Sequence, residues 1–162
     1  MKIDFVGNKI SLKLKQKIKK AVVLTLSHLG QKSQTLNLSI NIIDEAQMQE
    51  LNARTRDIDR VTDVLSYPNF QLEPFELLNT DDKSLYCGKY IYLGDMAICL
   101  EKAQEQAEEY GWSLEEEVIK LVVHSTLHLM GFDHIEDKDY EIMNKQEQEI
   151  ANKINKQGRK NV

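Results

Sequence analysis

Between Leu36 and Ile42 the chain alternates strictly. Leu36, Leu38, Ile40 and Ile42 are apolar, and Asn37, Ser39 and Asn41 between them are polar. A period of two predicts a β-strand with one buried face. Upstream the period changes. Ile10, Leu14, Ile18, Ala21 and Val22 recur near helical spacing, which predicts an amphipathic helix from Asn8 to about Leu29, closed by His28 and Gly30. Met1 to Val6 precedes it as a short strand. Asp44 caps the next helix, with Gln47 three residues on completing a capping box, and this helix runs to about Ala53. A charged loop, RTRDIDR, leads into the strand DVLSYP, stopped by Pro68. Asn69 to Gly88 is loop-like and a candidate flap. Tyr90 to Leu93 forms another strand, and Leu93-Gly94-Asp95 turns the chain, with Asp95 capping the helix after it.

Three helices complete the pattern: Met96 to Tyr110, Ser113 to Gly131 with Glu116 completing a second capping box, and Asp137 to about Lys156. The order of elements predicts an α+β fold: a small mixed sheet flanked by helices, in a single domain over residues 1–157, with residues 158–162 as a frayed tail. The 162-residue length suits one such domain.

Composition narrows the function classes. The net charge of −5 argues against a general nucleic-acid coat, yet leaves RNA open as a substrate. Two clusters are locally basic: Lys9, Lys13, Lys15, Lys17, Lys19 and Lys20 on the first helix, read as a solvated face, and Arg54, Arg56 and Arg60. Cys87 and Cys99 lack zinc-ribbon or redox spacing and read as reduced thiols. No segment approaches the roughly 20 apolar residues that span a bilayer. The expected location is the cytoplasm, with no membrane partner.

The chemistry concentrates in VIKLVVHSTLHLMGFDH. Val118 to Met130 is nearly all apolar, which predicts a helix buried on most sides. His124 and His128, four residues apart, share one face of it. A buried imidazole without a partner is costly, and a bound metal satisfies both rings. Gly131 ends the helix, and the chain turns to present His134. Three histidines leave one position of a tetrahedral metal open for water, the arrangement of catalytic rather than structural zinc sites. The predicted cofactor is one Zn2+ ion at the end of a buried central helix, with another transition ion such as Ni2+ able to bind in a purified sample. His28, the fourth histidine, reads as an ordinary helix-end residue.

The spacing H-x3-H-x5-H is that of the metzincin proteases, but their general-base glutamate is replaced here by Ser125. That substitution disfavours a protease. A phosphodiester suits the site better, because its oxygens need charge neutralisation more than a strong base. Arginine supplies that with a planar fork matching two phosphate oxygens.

Three blocks then carry a resemblance over almost the whole chain. LNARTRDIDRVTDVLSYP, LGDMAIC and VVHSTLHLMGFDH, in this order, are similar to the blocks of the YbeY family of bacterial endoribonucleases. The resemblance implies that His124, His128 and His134 bind zinc and that Arg56, read here in a loop, is needed for activity. It implies a single-strand-specific, metal-dependent endoribonuclease acting in ribosomal RNA maturation, including the 3′ end of 16S rRNA, and in late ribosome quality control. Zinc-activated water would attack the phosphodiester. The partners implied are ribosomal RNA and the ribosome or small-subunit proteins. Ser125 departs from the family, which usually has glycine there, and Glu116 lies near a position where the family often has arginine. Asp63, Ser66 and Asp133 are candidates to orient metal-bound histidines, as carboxylates do elsewhere; alternatively Asp63 and Ser66 cap a helix or bond a turn, and Asp133 orders its turn or accepts a proton from the metal water. Tyr86, Tyr90 and Tyr92 offer stacking faces for bases or fill a strand face. The alternative function is a ribosome-associated assembly factor whose metal site is mainly structural.

Overall fold

The computed structural model describes the backbone of residues 1–134 and 136–159, and side chains within these ranges through residue 156. Its strands are β1 (Lys2–Gly7), β2 (Leu36–Ile43), β3 (Val64–Pro68), β4 (Tyr86–Cys87) and β5 (Tyr90–Cys99). Its α-helices are α1 (Leu12–His28), α2 (Glu45–Arg56), α3 (Leu100–Tyr110), α4 (Leu114–Leu129) and α5 (Asp137–Arg159). The strands form one mixed sheet ordered β1-β2-β5-β3, with β4 also paired to β5. β1, β2 and β5 run parallel, and β3 and β4 lie antiparallel to β5. The fold is therefore α+β with a small mixed sheet, as the alternation of periods predicts.

β5 organises the sheet, and here the structure corrects the sequence reading. Met96 to Cys99 is not the start of a helix but the second half of this strand, paired to β2 on one side and β3 on the other. The apolar run shows no alternation because both faces are covered, the usual pattern of a central strand. Met96 and Ile98 join the main core, whereas Ala97 and Cys99 pack on Met48 of α2 across the sheet. Gly94 does not turn the chain. It lies inside the strand at φ 137°, where a Cβ would fall 2.1 Å from the Tyr67 carbonyl oxygen. Asp95 caps no helix; its carboxylate accepts a hydrogen bond from the Tyr92 hydroxyl at 2.8 Å.

The two capping boxes hold. Asp44 and Gln47 form a reciprocal box, as do Ser113 and Glu116, and each such cap is worth about 1 kcal/mol. α1 starts at the Ser11 cap, later than expected from Asn8. α2 continues three residues past Ala53, so Arg56 closes a helix rather than lying in a loop. α5 extends past Lys156 to Arg159. The tail expected from residue 158 therefore begins in helical backbone, and residues 160–162 lie outside the described residues.

α4 is the central helix, in contact with α1, α3, α5, β3 and β5. Val118, Val122, Leu127 and Leu129 on it are fully buried. His28 behaves as a helix-end residue, bonding Gln146 of α5 at 2.9 Å. Both cysteines are free thiols, Cys87 exposed and Cys99 buried. No described helix is long and apolar enough to cross a membrane.

Candidate metal centre

α4 delivers two imidazoles into a cleft of about 730 Å³ between α4, β3 and the start of the 69–88 segment. One turn of helix separates His124 from His128, and their Nε2 atoms lie 3.0 Å apart. Each Nδ1 is already engaged. His128 Nδ1 donates to the Phe132 carbonyl at 2.8 Å, and His124 Nδ1 to the Glu147 carboxylate at 2.7 Å. With Nδ1 protonated on both rings, both Nε2 lone pairs face the same point.

His134 completes the set. Ring centroids lie 5.5 Å from His124 and 5.0 Å from His128, and the candidate ligand atoms of the three all fall within 4.8 Å of one another. A tetrahedral ion with bonds of about 2.0–2.1 Å places its nitrogens roughly 3.3 Å apart, so the three rings fit such an ion after small adjustments. Burial, followed by repulsion from His124 and His134, lowers the His128 pKa from 6.5 to about 4. It is therefore neutral at physiological pH, the form that ligates metal.

The turn that presents His134 depends on Gly131. Its φ is 86°, and a Cβ there would stand 2.2 Å from the Leu72 carbonyl oxygen. Gly131→Ala is expected to lower stability by about 2–3 kcal/mol, from left-handed strain plus displacement of the Leu72 backbone. Urea denaturation of the metal-free protein checks this; a loss under about 0.5 kcal/mol, the range of neutral surface changes, would show that the contact relaxes freely.

All the site residues read from sequence line this one cleft: Arg56, Asp63, Ser66, His124, His128, Asp133 and His134. Their bonds differ. Asp63 accepts from the Val64 amide at 2.8 Å and the Thr62 hydroxyl at 3.0 Å, fixing the start of β3. Ser66 bonds Ser125 across a buried 2.7 Å gap, which ties β3 to α4. The added hydroxyl of Ser125 is thus satisfied where it is buried. Asp133 accepts from the His134 amide at 2.7 Å and orders the turn. Arg56 donates to the Ser66 carbonyl at 3.0 Å and lies over the Tyr67 ring at 5.8 Å. Asp59, three residues on, accepts from Gln49 at 2.9 Å rather than pairing with Arg56. Tyr86, Tyr90 and Tyr92 are half-buried and not part of the cleft lining.

Glu147 is the cleft residue that sequence reasoning missed. It stands 23 residues from its partner, on α5. The signal that could have found it was its register. It falls four residues after Met143 and three before Ile150, both buried, so an acid occupies the inward stripe of an amphipathic helix. Carboxylates that fix a metal-ligating histidine typically contribute 10–100-fold in affinity. Glu147→Gln is expected to weaken Zn2+ binding about tenfold, and Glu147→Ala closer to 100-fold. Competition against a chromophoric chelator reads both; equal affinities in all three proteins would show that the contact does not orient the ring.

Residues 3–155 match the family described as Endoribonuclease YbeY. The chain is 44% identical over 124 residues to an endoribonuclease YbeY of Clostridium beijerinckii, covering 73% of this chain and 74% of that one. It is 38% identical over 153 residues to that of Caldicellulosiruptor saccharolyticus, covering 93% and 95%. The solution structure of a Thermotoga maritima protein superposes with a TM-score of 0.62 at 25% identity, covering 98% of this chain and 93% of the other.

Proposed function

The chain belongs to the YbeY family of endoribonucleases, and from that premise we propose that it cleaves single-stranded RNA with one zinc-type ion held by His124, His128 and His134. The observation that carries this reading is the convergence of two oriented Nε2 atoms, a third imidazole and Arg56 in one open cleft. The set fits a metal: three imidazole nitrogen donors with no fourth protein ligand among the described residues. When bound, the ion supplies Lewis acidity toward water and phosphoryl oxygens.

The chain's own residues do the rest. Glu147 and the Phe132 carbonyl hold the His124 and His128 rings with Nε2 toward the ion. Asp133 fixes the amide of His134 and so the turn that carries the third ring. Arg56 uses one N–H on the Ser66 carbonyl and keeps the others for phosphate oxygens. Asp63 and Ser66 fix the strand that forms the opposite wall. The substrate we propose is ribosomal RNA, including the 3′ end of 16S rRNA, met during maturation and late ribosome quality control. The setting is the cytoplasm, with the ribosome or small-subunit proteins as partners.

The test compares metal-free and zinc-reconstituted protein on a labelled single-stranded RNA and on its duplex. Zinc should restore cleavage of the single strand and leave the duplex largely intact. Cleavage that ignores both chelation and zinc would overturn the metal role. Unfolding on chelation, with no cleavage when zinc is restored, would favour the assembly-factor reading with a structural ion.

A further inference from the structure

A second group of side chains adjoins the metal cleft along α4. Gly111 ends α3 in a left-handed conformation, and the aromatic residues on either side of it, Tyr110 and Trp112, remain in solvent. Tyr110 is 58% exposed and Trp112 47%, so neither ring serves mainly as core. Their centroids lie 5.7 Å apart with planes inclined by 39°. Lys120, two turns into α4, brings its ammonium to 5.1 Å from the Trp112 ring centre and 5.4 Å from that of Tyr110. The same ammonium is held at 3.0 Å by Glu117, whose side chain is fully buried. Lys120 also lines the metal cleft beside Leu121 and His124. The cluster is therefore continuous with the cleft, and its cation is fixed by a buried acid and two rings.

We infer that Trp112, Tyr110 and Lys120 form a nucleotide subsite, in which a base of the single-stranded substrate stacks on the exposed rings while its strand runs past Lys120 into the cleft. The inference rests on the nuclease reading above. Every base has a π-face, so aromatic platforms bind single strands without sequence preference. A duplex keeps its bases stacked on one another and cannot use the platform, which makes this subsite a source of strand selectivity. The acidic first turn of α4 does not oppose it strongly. Glu115 pairs with Lys17, Glu116 binds the Ser113 cap and Glu117 pairs with Lys120. Stacking rather than charge then supplies most of the affinity, and binding should depend only weakly on salt.

Trp112 is the single tryptophan of the chain, so its fluorescence reports directly on the subsite. Zinc-loaded protein is titrated with a ribonuclease-resistant 2′-O-methyl oligoadenylate about eight nucleotides long. Anisotropy of a labelled copy measures binding independently. Fluorescence should be quenched with the same Kd that anisotropy gives. Trp112→Leu should raise that Kd about fivefold to tenfold, Lys120→Gln about threefold, and Trp112→Phe less than twofold. In RNA cleavage, Trp112→Leu should raise KM with kcat kept within about twofold. Binding seen by anisotropy without quenching, together with a Trp112→Leu protein that binds as wild type does, would overturn the subsite and leave the nuclease reading intact. Absence of both oligonucleotide binding and RNA cleavage would overturn the two together.

Discussion

Arg56→Ala is expected to slow cleavage of single-stranded RNA by about 10²–10³-fold while metal content stays at the wild-type level. The magnitude is that of removing one pre-aimed donor from a developing oxyanion. Arg56 is placed for such a role. It closes α2 at its carbonyl end, where a cation is favoured. One N–H is used by the Ser66 carbonyl and one ring, Tyr67, lies beneath the guanidinium. No carboxylate pairs with it among the described residues. Structure should suffer little, because a hydrogen bond on an exposed side chain is worth about 1 kcal/mol or less, roughly 2–4 °C in melting temperature for a chain of this size. Arg56→Lys should recover under tenfold, since an ammonium cannot present the two-donor fork. Full activity in Arg56→Ala would remove the arginine from the chemistry; activity lost in proportion to zinc content would mean that it acts on the metal site instead.

The histidines were legible because one spacing fixes their geometry. Residues four apart on a helix share a face whatever surrounds them, and Gly131 announces the turn that returns His134. The alternation of Leu36 to Ile42 was equally local, and so were the two capping boxes. What escaped the sequence depended on partners far along the chain. The run Met96-Ala97-Ile98-Cys99 carries no period because β2, β3, α2 and the core cover it from all sides. Arg56 read as loop because RTRDIDR has no apolar residue until Ile58 to mark a helical stripe. The helix in fact ends at Asp57, in a left-handed conformation at φ 61° that asparagine or glycine would have advertised better. Glu147 was invisible for a different reason. Candidates to orient the histidines came from the segment around Asp63 and Ser66 and from the turn at Asp133, whereas α5 returns across α4 and supplies the carboxylate from a helix whose exposed acids disguise it.

His128→Ala should abolish zinc binding, bring RNA cleavage to background, and yet flatten the pH dependence of the metal-free fold. The first two effects follow from geometry: His128 is the middle ring, 3.0 Å from His124 by Nε2 and edge-on to His134 at 5.0 Å between centroids, and two remaining imidazoles cannot enclose an ion. The third follows from linkage. The folded protein holds His128 at a pKa of about 4, below its ordinary 6.5, because the ring is buried among two other imidazoles. As pH falls from 6.5 toward 4, the unfolded chain takes up a proton that the folded chain refuses, so metal-free stability drops across that window. The variant lacks the group and loses that part of the slope. Melting temperatures of both metal-free proteins at about pH 7.5 and about pH 5 measure it, and wild type should fall further. Added zinc at about 100 times Kd should stabilise wild type by about 2.7 kcal/mol and the variant not at all. Zinc-dependent stabilisation surviving in His128→Ala would mean that the ion sits elsewhere. Equal pH slopes would mean that the crowding of three imidazoles is relieved without metal. The expected combination would show the site as a local weakness of the fold that metal binding removes.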